Sequence, residues 1–184
     1  RTVSNTGGNY NATGTWVEGV VPTSADTIVF TSTSGQLTIN VASSAGSVNF
    51  SAYTNTVTIN QTWSIFGDIN FGTGGYNVAG SNSLALAATS TITSNGTAWK
   101  GNIQIAGSSQ TYTLNDAMVV NGTLRLSGVG TGTINGFSIS ITGNLTSTTT
   151  STFIGTTELI LIGTGTWNNT STGLLRLPLT INTS

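Results

Sequence analysis

The sequence predicts an all-β protein, a right-handed parallel β-solenoid with coils of roughly 21 residues. Two observations support this fold class: a Gly-anchored repeat and short segments in which apolar and polar residues alternate. In the repeat, a Gly precedes a polar–apolar–polar pattern, and three of the four steps between successive glycines have the same length. A fixed period of this kind is typical of one small unit that is stacked repeatedly. The five copies begin at Gly46, Gly67, Gly101, Gly122 and Gly143, so the step from Gly67 to Gly101 is the longer one.

Alignment of the five copies on their glycines gives columns of one chemical kind. Parallel stacking in register requires such columns, because like side chains then lie about 4.8 Å apart in successive coils. We therefore expect the aliphatic column inside the solenoid and the polar columns outside. The first residue after Gly is polar, the second is a branched aliphatic and the third is polar: Ser47, Asp68, Asn102, Thr123 and Asn144; Val48, Ile69, Ile103, Leu124 and Leu145; Asn49, Asn70, Gln104, Arg125 and Thr146.

A longer match relates two blocks of the chain, 56–71 and 111–126, position by position at a constant offset. Both blocks read Thr-apolar-Thr-apolar-Asn, followed by a spacer of equal length and then Gly. The offset equals one ordinary step between glycines combined with the longer one. We therefore expect an insertion or an extra partial turn between Gly67 and Gly101, and the segment 72–96 is the expected place for it.

Period-two alternation is the dominant local pattern, as in the segments 36–41, 56–60 and 137–141. Each predicts a short strand with one buried face and one wet face. Only Pro22 and Pro178 occur, so long regions can donate backbone hydrogen bonds to a ladder. An antiparallel β-sandwich of the immunoglobulin type is the alternative, with strands every 8–12 residues or so. The repeated Gly register favours the solenoid, because a sandwich does not need it.

Composition and charge narrow the possible functions. Thr, Ser, Asn and Gly make up 102 of the 184 residues, yet 36% of the residues are hydrophobic, so a core can form. Four Lys or Arg against five Asp or Glu leave no basic cluster, and nucleic acid is therefore not an expected partner. The chain has no Cys and no His, which excludes disulfides, thiol chemistry and Cys/His zinc sites. We predict no cofactor, no metal site and no membrane insertion.

The segment 1–30 differs from the rest and is predicted to form a cap, with solenoid repeats over 31–184. A Trp, a Pro turn and an apolar strand follow one another here, marked by Trp16, Gly19, Pro22 and Asp26. This stretch resembles the opening segment of secreted β-helix proteins, including G8-type domains, bacterial adhesins and phage tail proteins. The Thr/Asn-rich repeats are similar in style to phage fibre and adhesin repeats. We expect Trp16 to plug the first coil and Asp26 to cap a turn, and we expect the chain to be a fragment of a longer one.

The tryptophans and tyrosines are the first candidates for glycan binding, because sugar rings stack on exposed aromatic faces. The columns place Trp63, Trp99 and Trp167 in the core instead. Tyr10, Tyr53 and Tyr76 lie in loop-like segments and are better candidates for an exposed platform. The ligand-binding residues predicted from the sequence are thus two of these tyrosines and three outward polar residues: Tyr53, Tyr76, Asn70, Gln104 and Arg125.

The carboxylates do not predict an active site. Glycan-cleaving enzymes need two acids that face one another, one protonated and one ionised. No two acids share a column in adjacent coils: Asp68 is in an outward column, and Asp116 lies in a turn. We therefore predict no catalytic residue and no enzyme.

Three functions remain open. The first is a structural or adhesive extracellular rod, in a phage tail fibre or spike or in a cell-surface adhesin, with a cell-surface glycan as a possible ligand. The second is a polysaccharide depolymerase of the tailspike type, acting through Asp68 or Asp116. The third is a self-assembling filament or surface-layer subunit. The resemblance implies an extracellular place, on a virion or a cell, and a homo-oligomer: a trimer as in phage fibres, or end-to-end stacking in the filament case.

Overall fold

The structure, a computed structural model, describes residues 1–148, 150–170 and 172–182. The regular structure of these residues is β-strand apart from a single 3-10 turn at Thr13–Thr15. The strands are all short. In chain order they are β1 (Gly8–Asn9), β2 (Thr27–Val29), β3 (Leu37–Ile39), β4 (Ser43–Ala45), β5 (Ser47–Asn49), β6 (Thr56–Ile59), β7 (Trp63–Ile65), β8 (Ile69–Asn70), β9 (Asn77–Ala79), β10 (Ser83–Leu86), β11 (Ser90–Thr93), β12 (Asn102–Ala106), β13 (Thr111–Leu114), β14 (Met118–Val120), β15 (Leu124–Ser127), β16 (Thr131–Gly136), β17 (Ile139–Ile141), β18 (Leu145–Ser147), β19 (Thr152–Gly155), β20 (Leu159–Ile162), β21 (Trp167–Asn169), β22 (Leu175–Arg176) and β23 (Leu179–Asn182).

The strands form the three faces of a parallel β-solenoid with about seven turns of ~21 residues. Face 1 is the seven-stranded sheet β4-β7-β10-β12-β15-β18-β21. Face 2 is the eight-stranded sheet β2-β5-β8-β11-β13-β16-β19-β22. Face 3 consists of two four-stranded sheets in succession, β1-β3-β6-β9 and β14-β17-β20-β23, and between them Trp99 bridges to Val120. Each coil runs from face 3 through face 1 to face 2.

Successive coils pair in parallel and in register, as the sequence predicts. On face 1, Ile103 pairs with Leu124 and Leu124 with Leu145, so the step along the chain is the same each time. All pairings between the strands named above are parallel; an antiparallel bridge joins Val3 to Trp16 in the N-terminal segment. The antiparallel sandwich alternative is therefore wrong for this chain.

Alternate side chains of the strands from β2 to β20 fill the interior, and the core changes character along the axis. Aromatic rings pack through the first coils, with centroids 4.7 Å apart for Phe30 and Phe50 and 4.4 Å for Phe50 and Tyr76. Phe71 stacks on Trp99 at 5.2 Å. Later coils bury mainly branched aliphatics: Ile103, Leu124, Leu145, Val120, Ile141, Leu126 and Leu159. Burial of these apolar columns is the main favourable term in the fold.

The glycines of the repeat lie at corners where successive coils approach closely. A Cβ built on Gly122 would stand 2.2 Å from the carbonyl oxygen of Gly101, and one on Gly143 would stand 2.1 Å from that of Gly122. At the other corner, a Cβ on Gly67 would stand 2.7 Å from the oxygen of Gly46. Real Cβ atoms do not come this near to a backbone atom, so these three positions require Gly.

The five glycines do not form a single column, which corrects the sequence alignment. Gly46 and Gly67 lie between face 1 and face 2, whereas Gly101, Gly122 and Gly143 lie between face 3 and face 1. The predicted polar and aliphatic columns accordingly split into two sets on two faces. Within each set the predicted neighbours pair as expected: Val48 with Ile69, Ile103 with Leu124, and Leu124 with Leu145.

The predicted insertion between Gly67 and Gly101 is wrong. Across this region Ile69 pairs directly with Ile92 on face 2 and Leu84 with Ile103 on face 1, so each face advances by one coil of nearly ordinary length. The longer spacing between the two glycines arises because the tight corner moves from one edge of the solenoid to another. The match of 56–71 with 111–126 likewise joins strands on different faces, β6 on face 3 and β13 on face 2.

The N-terminal segment covers the first coil. Trp16 is buried against Tyr10, with ring centroids 5.2 Å apart, and its indole N–H donates to the Tyr10 carbonyl at 2.9 Å. The Asp26 carboxylate accepts hydrogen bonds from the Thr23 backbone N–H and hydroxyl, both at 2.9 Å, and pairs with Arg1 at 3.3 Å. The bonds from Thr23 hold the pKa of Asp26 below its ordinary value. The predicted turn cap at Asp26 is confirmed, and Trp16 lies in the core next to Tyr10.

The corner glycines predict a sharp difference between two Gly→Ala substitutions. Gly143→Ala should lower the free energy of unfolding by about 3 kcal/mol or more, because the new methyl group meets backbone of the preceding coil. Gly14→Ala, where nothing lies within 4 Å, should change it by about 1 kcal/mol at most. Urea denaturation of both variants measures the difference. Equal stabilities would contradict the steric account of the repeat.

Candidate functional site

The outward side chains of face 1 form a shallow polar groove of about 420 Å³, which we call the Arg125 groove. Residues of four successive coils line it: Ser81, Asn82, Ser83, Asn102, Thr123, Arg125, Thr146 and Thr148. Gln104 pairs with Arg125 in the ladder, and Arg125 pairs with Thr146. The structure thus brings together two of the residues predicted to bind a ligand, Gln104 and Arg125, on adjacent strands.

Arg125 is exposed, and its charge has no carboxylate partner among the residues that the structure describes. Its guanidinium approaches the Thr148 hydroxyl at 3.4 Å, a long contact for a hydrogen bond. Gln104 is half-buried, and no side-chain hydrogen bond ties it to another described residue. These two side chains are therefore available to a ligand, with hydroxyl and amide groups around them.

Asn70, the third predicted polar residue, lies apart from them on face 2, where a second groove of about 340 Å³ opens. Its side-chain oxygen accepts hydrogen bonds from the Gly72 backbone N–H at 2.8 Å and from the Asn95 side-chain amide at 2.7 Å. Both bonds hold the turn that follows β8 and the neighbouring coil. Asn70 therefore has a structural task in this position.

The polar residue directly after four of the five corner glycines links one coil to the next. In four places its side-chain oxygen accepts the backbone N–H of a residue in the following coil. The pattern explains why the repeat demands a short polar residue at this position, a role that the sequence assigned only to a wet surface. The four bonds are Asp68 N–H to Ser47 Oγ at 3.1 Å, Thr91 N–H to Asp68 Oδ1 at 2.8 Å, Thr123 N–H to Asn102 Oδ1 at 2.9 Å and Thr166 N–H to Asn144 Oδ1 at 3.1 Å.

The two acids considered for catalysis also accept backbone hydrogen bonds. Asp116 receives the N–H groups of Ser94 at 2.7 Å and Asn95 at 2.6 Å, in the coil before its own. Asp68 receives that of Thr91 at 2.8 Å. Among the described residues, no cluster of three or more acids stands ready to hold a metal ion.

The exposure predicted for three tyrosines is wrong, because Tyr10, Tyr53 and Tyr76 are all in the core. The Tyr53 hydroxyl lies within hydrogen-bond distance of the carbonyls of Gly35 at 2.9 Å and Thr56 at 2.8 Å. Burial raises the pKa of all three phenols well above the ordinary value. A fully covered ring cannot stack on a sugar, so Tyr53 and Tyr76 are structural residues.

Of the three tryptophans predicted to lie in the core, two are buried and one is exposed. Trp63 and Trp99 are completely buried, as predicted. Trp167 pairs with Leu145, the predicted kind of position, but 41% of it is exposed. It lies in β21, which has a neighbouring strand on one side only among the described residues, so nothing described covers its other side. The prediction of a core role for Trp167 is wrong.

Comparisons with protein-family models, with curated proteins and with solved structures find no match for this chain. The class of protein is therefore defined by the fold alone, a parallel β-solenoid. In the part of the chain that the structure describes, no helix has the length and apolar character needed to cross a bilayer.

Two buried tyrosines should respond in opposite ways to loss of the hydroxyl. The Tyr76 hydroxyl has no hydrogen-bond partner within the described chain, so Tyr76→Phe should raise the free energy of unfolding by about 1 kcal/mol. Tyr53→Phe should lower it by about 1 kcal/mol, because it removes the one donor that the carbonyls of Gly35 and Thr56 share. Thermal and urea unfolding of both variants test this. A loss of stability in Tyr76→Phe equal to that in Tyr53→Phe would refute the assignment.

Asn102 and Gln104, both on β12, provide a second matched pair. Asn102 accepts from Thr123 N–H and donates to the Ser81 carbonyl at 3.1 Å, so Asn102→Ala should cost about 1–3 kcal/mol of stability. Gln104→Ala should change stability by about 0.5 kcal/mol at most. Differential scanning calorimetry measures the melting temperature of each variant. Equal melting temperatures would contradict the structural role of the residue after Gly.

Proposed function

We propose that the chain is a rigid segment of an extracellular fibre, in a phage tail fibre or spike or in a cell-surface adhesin. The observation that carries the proposal is the double connection between coils. The backbone ladders hold all three faces, and side chains such as Asp68 and Asn102 tie the corners as well. A stack locked in this way resists bending and shear, as a projecting rod must.

The outer surface supports the same proposal. It carries Thr, Ser and Asn with few charges, and an ion pair occurs between Arg1 and Asp26 in the described residues. Such a surface remains soluble while it presents many hydroxyl and amide groups to an uncharged or weakly charged partner. Side chains available to a ligand, such as the half-buried Gln104 and the exposed Arg125, provide the adhesive contacts in this proposal.

The proposal assigns no catalytic step. Asp68 and Asp116, the acids that a depolymerase would use, each accept backbone hydrogen bonds from another coil. The likeness to tail fibres adds a homotrimer to the proposal, and the mass of the purified chain by light scattering tests that part separately. A monomeric mass would contradict the trimer but not the fibre proposal.

Immunogold electron microscopy tests the location directly. Antibodies raised against the purified chain should label thin projections on virions or on the surface of the cells that produce it. Serum depleted on the purified chain is the control and should give no label. Label on virions and label on cells would distinguish the two settings, whereas label confined to the cytoplasm would overturn the proposal.

A further inference from the structure

Phe66 is an exposed aromatic residue in an outward position of face 1. It follows β7, in which Trp63 and Ile65 point inward and Ser64 outward, so alternation continues to direct Phe66 outward. Its backbone N–H donates to the Ala45 carbonyl at 2.9 Å, and the Ala87 N–H donates to the Ile65 carbonyl at 2.8 Å. The chain beside Phe66 therefore carries small residues, and 46% of the residue faces solvent.

A groove of about 320 Å³ lies beside this ring, which we call the Phe66 groove. Its floor is small and hydroxylated, and none of the side chains that line it is charged. The lining residues are Ser24, Ala42, Ser43, Ser44, Thr62, Ser64 and Phe66.

Four hydroxyls of this groove make no hydrogen bond to any other part of the described chain: those of Ser24, Ser44, Thr62 and Ser64. This differs from the corners, where Ser47, Asp68 and their counterparts are used between coils. Ser44 and Ser64 pair with each other in the ladder, so their hydroxyls lie side by side on adjacent strands. They are free to bond a ligand.

The floor of the groove is also held firmly in place. Ser43 pairs with Trp63 and Ala45 with Ile65, and both Trp63 and Ile65 are completely buried beneath it. From inside the solenoid, the Tyr10 hydroxyl donates to the Ser44 carbonyl. A site on such a support needs little ordering when a ligand arrives, which favours affinity.

We propose that the Phe66 groove binds a sugar unit of a neutral polysaccharide. The apolar face of a sugar ring packs on the exposed aromatic ring, while its hydroxyls bond the hydroxyls of Ser44, Thr62 and Ser64. The lack of any charged lining residue selects an uncharged sugar, since a carboxylate or sulfate would lose its water without gaining a partner. This inference rests on the proposed function, because it gives the adhesive rod its ligand class.

Affinity gel electrophoresis tests the site, with dextran, starch, galactomannan, arabinogalactan and mixed-linkage β-glucan in the gel as probes. We expect at least one of them to retard the native chain. Phe66→Ala should weaken that retardation about tenfold or more, and the double variant Ser64→Ala, Thr62→Val should weaken it as well. Phe137→Ala is the matched control, because Phe137 is 56% exposed in the turn between β16 and β17 and should bind as the native chain does.

Circular dichroism of each variant confirms that the fold is intact before binding is compared. Arg125→Gln provides a second control, since a neutral polymer held at Phe66 does not need that charge. Retardation by none of the probes, or equal loss in Phe66→Ala and Phe137→Ala, would overturn the inference. Such a result would not contradict the fibre proposal. Cytoplasmic immunogold label would contradict the fibre proposal but not the measured binding.

Discussion

The backbones of successive coils come closest at the corners between faces, and this close approach limits which residues can stand there. Strands of one coil pair with the next only if the corner between two faces lets the chains lie at strand spacing, about 4.8 Å. At the corner of face 3 and face 1, the distance left for a Cβ on Gly122 is 2.2 Å, which only Gly accepts. The ladders, the buried columns and the regular step of ~21 residues follow from stacking at this distance.

The same constraint decides what the polar residues do. At a tight corner the backbone N–H leaves the ladder, and a side-chain oxygen from the preceding coil satisfies it, as Asn102 does for Thr123. Much of the Asn, Asp and Ser content near the corners is therefore structural. Side chains in the middle of face 1, such as Ser64, Gln104 and Arg125, have no such task, and the adhesive function proposed for the rod depends on them.

The alternation of apolar and polar residues helped to predict the fold, because side chains within a strand point alternately inward and outward. The columns of the repeat correctly placed Ile103, Leu124 and Leu145 in one buried column and Trp63 and Trp99 in the core. A fixed step could not show which edge of the solenoid holds the tight corner, since Gly serves at either edge. The longer step between two of the glycines therefore suggested an insertion where the corner only changes place.

Alternation gives no guidance in turns, and the tyrosines were predicted to be exposed because they lie in loop-like segments. Ser51 has φ 38° and Gly75 has φ 66°, both in the left-handed region of backbone conformation. Tyr53 and Tyr76 come just after these residues and turn inward, where the sequence suggested a loop surface. Phe66 could have been found from the sequence. It continues the alternation of β7 by one residue, and that pattern directs its side chain outward.

Nuclear Overhauser contacts between backbone protons across face 1 report directly whether successive coils pair in parallel and in register. In an isotopically labelled sample, the amide and α protons of Leu124 should show cross-strand contacts with both Ile103 and Leu145, which lie one coil away on either side. The pattern should be that of parallel strands, with the Ile103 N–H bonded to the Thr123 carbonyl and the Leu124 N–H to that of Asn144. Close α-proton pairs between strands that are consecutive in sequence, the pattern of antiparallel hairpins, would contradict the solenoid and the corner constraint with it.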